Sequence, residues 1–146
     1  MEELKVRVEL LAGASAPAYQ TEGSAGADLC ARLEKPVALA PHGRAIIPTG
    51  IRIELPGGFE AQVRSRSGLA AKHGIACLNA PGTIDSDYRG EILVILVNHG
   101  DDPYLVSDGD RIAQLVIAPV TRAAFSMADD LSSSDRGSGG FGSTGR

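Results

Sequence analysis

The chain has 146 residues, of which 43% are hydrophobic and 22% are charged, and its formal net charge is −4 at pH 7. This size and composition predict a single globular domain, and the acidic balance argues against a nucleic-acid partner. No segment approaches the ~20 apolar residues of a membrane helix, and the acidic opening sequence MEELKVRVELL lacks the apolar core of a secretory signal, so we expect a cytoplasmic protein with no membrane partner.

Short apolar runs alternate with turn signals along the chain, which is the pattern of an all-β sandwich or barrel. The eight prolines recur throughout, so a helix longer than about ten residues has little room. The single predicted helix starts at Ser67, its expected N-cap, and stops at Gly74. The apolar and alternating runs predict strands over residues 4–10, 36–39, 45–47, 50–55, 59–63, 92–97 and 112–117.

Two of the predicted strands are apolar on both faces. Residues 92–97 are apolar at every position, and residues 112–117 are nearly so. Such a strand must be covered on both sides. The core covers one face, and the simplest cover for the other is a second copy of the chain, the alternative being a loop of the same chain.

The sequence after Met127 is rich in serine and glycine and contains one large aromatic residue, Phe141. A segment of this composition cannot bury enough surface to fold by itself, so a disordered tail is the default interpretation. Phe141 lies among glycines, with Arg136 five residues before it. The segment could therefore order over a ligand, with the phenylalanine ring as a stacking face.

Two predicted loops could place charge near a ligand. The loop around Asp28 offers a carboxylate near a cation, although an aspartate between small residues is more often a turn former. The loop at residues 64–68 precedes the predicted helix, where backbone N–H groups, a serine hydroxyl and an arginine suit phosphate. The alternative for this second loop is a capped helix beside a surface arginine.

A third segment, residues 79–90, is predicted to be a β-hairpin with its turn around Ser86 and Asp87. Asn79 offers both a donor and an acceptor to the edge of a base. Asp85 is a possible general base, and Tyr88 offers a flat face. Composition alone does not assign these roles, because two aspartates in a turn are more often simple turn chemistry.

Several other chemistries are disfavoured. The two cysteines and three histidines lack the spacing of a disulfide framework or a metal centre, so we expect reduced, buried thiols. The sequence also lacks a P-loop, a dinucleotide-binding glycine motif, an HExxH zinc motif and the zinc-deaminase signature.

Five segments, taken in order, resemble the five motifs of the trimeric dUTP pyrophosphatases (dUTPases). They are Ala25–Leu29, Arg66–Ala70, Gly82–Gly90, Gly109–Leu115 and Arg136–Gly145. Any one of them would be a weak signal, but five in order over nearly the whole chain are a strong one.

The resemblance implies an all-β fold, a distorted jelly roll or β-barrel with one short helix, assembled as a threefold homotrimer with shared active sites. It implies that residues 1–130 form the core and that residues 131–146 form a glycine-rich arm that closes over the active site of a neighbouring subunit. The implied reaction is hydrolysis of dUTP to dUMP and pyrophosphate by water attack at the α-phosphorus, with Mg²⁺ as cofactor. This reaction would supply dUMP for dTMP synthesis and keep uracil out of DNA.

The resemblance also implies roles for individual residues. Asp85 matches the general base, and Gln114 matches a residue that orders the attacking water and the phosphates. Asp28 matches a residue that holds Mg²⁺ through water, as suits an ion that keeps several of its waters. The residues that match phosphate and nucleoside contacts are Arg66, Ser67 and Gly68 at the helix start, Asn79 at the base edge, the backbone near Thr83, Ile84 and Leu93, Tyr88 under the deoxyribose, Arg136 at the γ-phosphate and Phe141 on the uracil ring.

One position departs from the family pattern. Ser65 stands where the family often has proline before Arg-Ser-Gly, and we expect this to loosen the loop without removing any contacting group.

Two other functions are considered beside this one. A dCTP deaminase of the same fold superfamily would need a glutamate base and different basic residues after Arg-Ser. A non-catalytic nucleotide-binding module would not need the intact Asp85 and Gln114. Release of ammonia, of pyrophosphate or of neither separates the three functions.

Overall fold

The computed structural model describes residues 3–145, and over this range the chain folds into short strands and one short helix. The elements in chain order are β1 (Arg7–Leu10), β2 (Ala27–Cys30), β3 (Val37–Leu39), β4 (Arg44–Pro48), β5 (Ile51–Glu54), β6 (Phe59–Arg64), α1 (Ser67–His73), β7 (Ile75–Cys77), β8 (Gly82–Ile84), β9 (Leu93–Asn98), β10 (Tyr104–Val106) and β11 (Arg111–Pro119). Across this range no helix has the length and apolar character needed to cross a membrane.

The strands form four antiparallel sheets. The largest has the order β2-β11-β6-β8, the next has the order β4-β9-β7, and the pairs β1-β5 and β10-β3 complete the set. The expectation of a mostly β fold with one short helix is confirmed. The expectation of a closed barrel is wrong, because the sheets are open: β2 and β8, the outer strands of the largest sheet, do not pair with each other in the described range.

The core between the sheets is aliphatic. Leu29, Ile47, Leu96 and Ile112 are among its fully buried side chains. The alternation of each strand directs these side chains inward, so the turns and the polar residues that follow the strands lie at the surface. The core therefore fixes the strand ends from which the functional side chains project.

Two local predictions need correction. The loop expected around Asp28 is strand β2, because residues 27–30 pair with β11. The hairpin expected over residues 79–90 is not a strand pair: β8 pairs with β6, whereas β9 pairs with β4 and β7. The predicted turn is present, since the N–H of Tyr88 donates to the carbonyl of Asp85 at 3.1 Å.

The start of α1 also differs from the prediction. Its N-cap is Arg66, with φ −90° and ψ 128°, and no side chain caps the helix. Ser67 is instead the first helical residue. The predicted stop is confirmed, because Gly74 takes a left-handed φ of 69° and its N–H donates to the carbonyl of Ala70 at 3.0 Å.

Candidate active site

The buried carboxylate of Asp28 is the centre of a polar cluster on the largest sheet. Asp28 on β2 lies opposite Gln114 on β11, so both side chains emerge on the same face. Asp28 is only 3% exposed. Its carboxylate lies 3.1 Å from Arg111 Nη1, 3.5 Å from Gln114 Nε2 and 3.7 Å from Arg66 Nε. A buried carboxylate needs such partners, and we call this group of four residues the Asp28 cluster.

Arg66 ties the loop before α1 to the same sheet. Its Nη1 donates to the backbone carbonyl of Arg111 at 2.9 Å. The exposed residues Ser67 and Gly68 follow directly as the first turn of α1. N–H groups in the first turn of a helix have no acceptor within the helix. Two arginines and a helix start therefore lie together, an arrangement that suits a polyphosphate.

A glycine gives Gln114 its place in this cluster. A Cβ atom at Gly26 would lie 3.1 Å from Gln114 Cβ and 3.2 Å from its Oε1. Any larger residue before β2 would press against the amide side chain. The glycine two positions before Asp28 is thus explained by packing against Gln114 on β11.

The second polar region is a cavity of about 180 Å³ beside β8. Five residues predicted to contact the nucleoside line it, namely Asn79, Thr83, Ile84, Tyr88 and Leu93, and so does the predicted general base Asp85, whereas Phe141, predicted to stack on uracil, does not. We call this the β8 cavity. Pockets for drug-sized ligands are usually about 300–1,000 Å³, so this one suits a single small ring.

Two glycines shape the β8 cavity. Gly82 is buried, and a Cβ atom there would lie 3.2 Å from Asn79 Nδ2, so the missing side chain makes room for the Asn79 amide. At Gly90 a Cβ atom would lie 2.9 Å from Tyr88 Cε2. The Tyr88 hydroxyl donates to the backbone carbonyl of Glu91 at 2.9 Å, which holds the ring over Gly90.

The Asp28 cluster and the β8 cavity occupy different parts of the largest sheet. In the order β2-β11-β6-β8, Asp28 and the cavity edge belong to the two outer strands. Asp28 itself is therefore three strand steps, ~14 Å, from the cavity edge. Gln114 lies on β11 and Arg66 follows β6, the two strands between them. Among the described residues, no member of the Asp28 cluster lines the β8 cavity.

The predicted arm residues lie in neither region. Arg136 Nε donates to the carbonyl of Gly139 at 2.9 Å. Phe141 is fully exposed and has a positive φ of 51°. Before the arm, the Val120 N–H donates to the carbonyl of Gly58, in the turn before β6, at 2.9 Å. In the described part of the chain beyond Val120, the backbone hydrogen bonds are local. The structure therefore does not bring the arm residues Arg136 and Phe141 to the Asp28 cluster or to the β8 cavity.

Asp28 can take part in only a limited kind of metal site. Over residues 3–145 no group of three or more His, Cys, Asp and Glu side chains could enclose a metal ion. Mg²⁺ commonly keeps several waters and uses one or two carboxylates together with substrate phosphates. A single carboxylate beside a phosphate-binding loop fits that mode of binding.

Two site residues are missing from the sequence-based prediction. Arg111 makes the shortest contact with Asp28, and it stands within the fourth motif beside Gln114. Glu91 lines the β8 cavity, and its Oε1 accepts a 2.8 Å bond from the N–H of Gly50. Arg111 could have been found from its motif, whereas Glu91 depends on a contact with a residue 41 positions away.

A free thiol borders the Asp28 cluster. Cys30 pairs with Arg111 across β2 and β11. Burial raises the pKa of the Cys30 thiol and Asp28 raises it further, whereas Arg111 and Arg66 act in the opposite direction. A protonated thiol is a poor nucleophile, so the chemistry of this region falls to its oxygen and nitrogen groups.

Comparison with known proteins decides which family has this arrangement. The family model described as dUTPase matches residues 12–145, including the arm. The chain belongs to the dUTPase family. The resemblance inferred from five motifs is thereby confirmed.

Named relatives and solved structures of the dUTPase family agree with this assignment. A deoxyuridine 5'-triphosphate nucleotidohydrolase of Anaeromyxobacter sp. (strain Fw109-5) is 61% identical over 89% of this chain and 87% of its own. One of the same name from Chlamydia pneumoniae is 57% identical over 97% and 99%. The structure of the Staphylococcus bacteriophage 80alpha dUTPase with dUPNHPP superposes with a TM-score of 0.87 at 27% identity, over 97% of this chain and 99% of that one.

Proposed function

We propose that the chain hydrolyses dUTP to dUMP and pyrophosphate, with the nucleoside in the β8 cavity and the phosphates at an Asp28 cluster. dUTP hydrolysis is the activity for which its close relatives are named. The observation that supports the residue assignment is that one small cavity collects five predicted nucleoside contacts together with the predicted general base. This reaction supplies dUMP for dTMP synthesis and keeps uracil out of DNA.

Asp85 is the proposed general base. It lines the β8 cavity and its side chain is exposed, so a water molecule can reach the carboxylate. The carboxylate accepts a proton from that water as the water oxygen bonds to the α-phosphorus. The bond from the α-phosphorus to the bridging oxygen then breaks, and pyrophosphate leaves. A positioned base removes the need for free hydroxide at neutral pH.

Uracil selection rests on the rigid walls of the β8 cavity. Asn79 presents donor and acceptor groups to the base edge, and the backbone near Thr83, Ile84 and Leu93 completes the contacts. A narrow cavity rejects thymine because its 5-methyl group would collide with the wall. Tyr88, fixed by its bond to the Glu91 carbonyl, lies under the deoxyribose where a ribose 2′-hydroxyl would collide.

The triphosphate is proposed to lie over Arg66, Ser67, Gly68 and Gln114. Arg66 and the α1 start provide donors that suit phosphate oxygens, and Gln114 orders the attacking water. Asp28 would hold Mg²⁺ through water, and Mg²⁺, when bound, neutralises the charge that collects on the phosphates. Phosphoryl transfer depends mainly on such positioning and neutralisation, so these groups need not react covalently.

Two features support assembly as a homotrimer with shared active sites. The first is that Asp28 lies on the far outer strand of the largest sheet and, among the described residues, no member of the Asp28 cluster lines the β8 cavity. The second is an apolar outer face on the β4-β9-β7 sheet: Ile46 lies opposite Ile95 and is 62% exposed, and Leu93 on the same face is 46% exposed. An exposed apolar face of this kind is typical of a protein interface. A neighbouring copy would cover it and complete the site.

Residues 131–146 are proposed to be an arm that closes over the active site of a neighbouring subunit, with residues 1–130 as the core. Phe141 would stack on uracil and Arg136 would contact the γ-phosphate. The full exposure of Phe141 leaves its ring free for such a contact. A closed arm excludes water other than the one that reacts.

The proposed compartment is the cytoplasm. Cys30 and Cys77 are both free thiols, and thiols stay reduced in that compartment.

A pyrophosphate-release assay tests the proposed function. Purified protein is mixed with dUTP, dTTP, UTP or dCTP, with and without Mg²⁺, and ammonia is measured in parallel. We expect Mg²⁺-dependent release from dUTP and little from the other three nucleotides. No release from dUTP, or ammonia from dCTP, would contradict the proposal.

A further inference from the structure

Glu91 holds the ring of Tyr88 at the wall of the β8 cavity. The Tyr88 hydroxyl donates to the backbone carbonyl of Glu91 at 2.9 Å. The ring also lies against Gly90, where a Cβ atom would overlap the hydroxyl and Cζ. The place of the ring in the cavity therefore depends on the position of the backbone at residues 90–91.

The Glu91 side chain fixes that backbone to a distant part of the chain. Its Oε1 accepts a 2.8 Å bond from the N–H of Gly50, 41 positions earlier, in a partly buried position. Gly50 is buried, so its N–H needs a partner within the protein. A carboxylate is a good partner, because a hydrogen bond to an ionised group is roughly twice as strong as one between neutral groups.

The turn that carries Gly50 is a rigid support for Glu91. Gly50 has φ 69°, a left-handed conformation that favours glycine. A Cβ atom there would lie 2.6 Å from Ala14 Cβ, so the turn packs closely against this residue. The Gly50 carbonyl accepts a 2.8 Å bond from the Leu11 N–H. The Gly50 N–H is thus a fixed point against which the Glu91 side chain is held.

The strand that follows Glu91 is attached to the same turn. Thr49 is fully buried, and its hydroxyl donates to the Ile92 carbonyl at 2.7 Å. The Ile92 N–H donates to the Ile51 carbonyl at 2.8 Å. These bonds hold residue 92, and the Glu91 side chain extends the attachment by one residue, to the carbonyl that accepts from Tyr88. In Glu91→Ala the strand should therefore stay in place while Tyr88 loses its support.

All these contacts lie within one chain and around one cavity. Tyr88 and Glu91 both line the β8 cavity, and Gly50 bonds directly to Glu91. The three residues therefore act on a single nucleoside, whichever subunit supplies the groups that bind its phosphates.

We propose that Glu91 is a positioning residue that sets the Tyr88 ring and so determines how strongly the cavity prefers a deoxyribose to a ribose. The proposal rests on the proposed function, because that function places Tyr88 under the deoxyribose. Without the carboxylate, the Gly50 N–H loses its acceptor and residues 90–91 can shift. The ring then moves with the carbonyl that holds it, and the space for a 2′-hydroxyl widens.

The test compares Glu91→Ala with two matched variants. Glu91→Gln keeps an oxygen that can accept from the Gly50 N–H. Glu9→Ala removes an exposed carboxylate that lies 3.6 Å from Arg52 Nη1 and outside the cavity. In Glu91→Ala we expect kcat/KM for dUTP to fall about tenfold and kcat/KM for UTP to change much less, so the dUTP-to-UTP ratio narrows about fivefold or more. We expect Glu91→Gln to recover most of the ratio and Glu9→Ala to match the wild type.

The ratio separates positioning from a merely structural role, because a loss of folded enzyme lowers both activities equally. Amide hydrogen exchange follows the bond itself. At Gly50 it should be about tenfold faster in Glu91→Ala than in Glu9→Ala, since the N–H loses its acceptor.

A double-mutant cycle tests whether Glu91 acts through Tyr88. Tyr88→Phe keeps the ring and removes the hydroxyl that bonds to the Glu91 carbonyl. If both residues hold the same ring, combining Tyr88→Phe with Glu91→Ala should narrow the dUTP-to-UTP ratio no further than the more affected single variant does.

Three results would overturn the proposal. They are a dUTP-to-UTP ratio in Glu91→Ala within about twofold of Glu9→Ala, a ratio that Glu91→Gln does not restore, and effects of the two substitutions that multiply in the double variant. If Glu91→Ala does not fold, Glu91→Asp, which is shorter by one methylene, takes its place in every comparison.

Absence of dUTP hydrolysis by the wild type is a different result, since it contradicts the proposed function itself. In that event the calorimetric affinities for dUTP and UTP, which are then not consumed, replace the kinetic constants. An affinity ratio in Glu91→Ala that matches Glu9→Ala would then overturn the role of Glu91.

Discussion

The β8 cavity and the arm are both proposed to grip the nucleoside, but the chain holds them in opposite ways. The cavity is built on β8, which pairs with β6, and its Tyr88 ring is fixed by a bond to a backbone carbonyl. Within the described part of the arm, the backbone hydrogen bonds join residues three positions apart, as from the Gly139 N–H to the Arg136 carbonyl. The core therefore determines the shape of the cavity, whereas local turns alone shape the arm.

This difference implies that the cavity selects the base, whereas the arm closes the site. A rigid cavity rejects a wrong base without any conformational change, because the clash is already present. An arm whose described backbone hydrogen bonds are all local loses conformational entropy when it closes over a ligand, so part of the binding energy is used at that step. Changes in the cavity should therefore affect the choice of substrate and the chemistry, and changes in the arm should affect closure.

The largest effect is expected from the base in the cavity. Asp85→Asn keeps the size of the side chain but removes the proton acceptor, so kcat for dUTP should fall by about 10²–10⁴-fold. Binding of the non-hydrolysable analogue dUpNHpp, measured by calorimetry, should change little. Asp87→Asn is the matched control, because Asp87 lies in the same turn, is exposed and does not line the cavity. An Asp85→Asn enzyme that hydrolyses dUTP at the wild-type rate would show that the base is elsewhere.

Deleting the arm should give the next largest loss. Removal of residues 136–146 takes away both Arg136 and Phe141, and we expect kcat/KM for dUTP to fall by about 100-fold because the site stays open to water. The assembly should be unchanged on gel filtration, because the described arm residues make only local hydrogen bonds. If the truncated chain elutes as a smaller species, the arm stabilises the assembly and the contrast with the cavity fails.

A smaller effect is expected from deforming the rigid cavity wall. In Gly90→Ala the new Cβ would overlap the Tyr88 hydroxyl and Cζ, so the ring must move. We expect kcat/KM for dUTP to fall about tenfold and the preference for dUTP over UTP to narrow, because the ring is proposed to exclude the 2′-hydroxyl. Gly57→Ala is the control, since a Cβ there meets nothing within 4 Å. An unchanged dUTP-to-UTP ratio in Gly90→Ala would contradict the role of Tyr88.

The same contrast explains what the sequence could predict. Most of the predicted cavity residues lie close together in the chain, within one motif, so the resemblance predicts Asn79, Thr83, Ile84, Asp85, Tyr88 and Leu93 together. It also predicts Phe141, which the structure does not bring to the cavity. The pairing of β8 with β6 was missed because the turn at Ser86 and Asp87 looks like a hairpin turn. Which strand an apolar run pairs with depends on contacts distant in sequence, and local patterns do not contain them.

Asp28 shows the same limit in another form. Its neighbours suggested a turn, and only the pairing with β11 makes it a strand residue with three polar partners. The hydrogen bond from the Cys77 N–H to the Ser65 hydroxyl could not be predicted either. A single sequence does not indicate which hydroxyl lies beside which strand edge. Function was the easier prediction, since motif order carries it, whereas the contacts that position each motif are tertiary.

The smallest expected effect concerns the buried thiol of Cys77 and tests how rigid the hydrophobic core is. Burial raises the pKa of the Cys77 thiol above its ordinary value of 9.0, and the Ser65 hydroxyl offsets this in part. The protonated thiol is thus favoured in the fold, so its contribution to stability is fully present below the pKa of the unfolded thiol. That contribution is lost as the pH rises through the folded pKa. We expect the free energy of unfolding in urea to fall slightly more between about pH 8 and pH 10 in the wild type than in Cys77→Ala.

Alkylation gives a direct readout of the same group. Iodoacetamide reacts with the thiolate, so at about pH 8 Cys77 should be modified more slowly in the native chain than in urea. The reagent must also reach a side chain buried in the hydrophobic core, and a rigid core slows this step further. Equal rates of modification in the native and unfolded chains would mean that β7 opens freely. The contrast between a cavity fixed by the core and an arm shaped by local turns would then no longer hold.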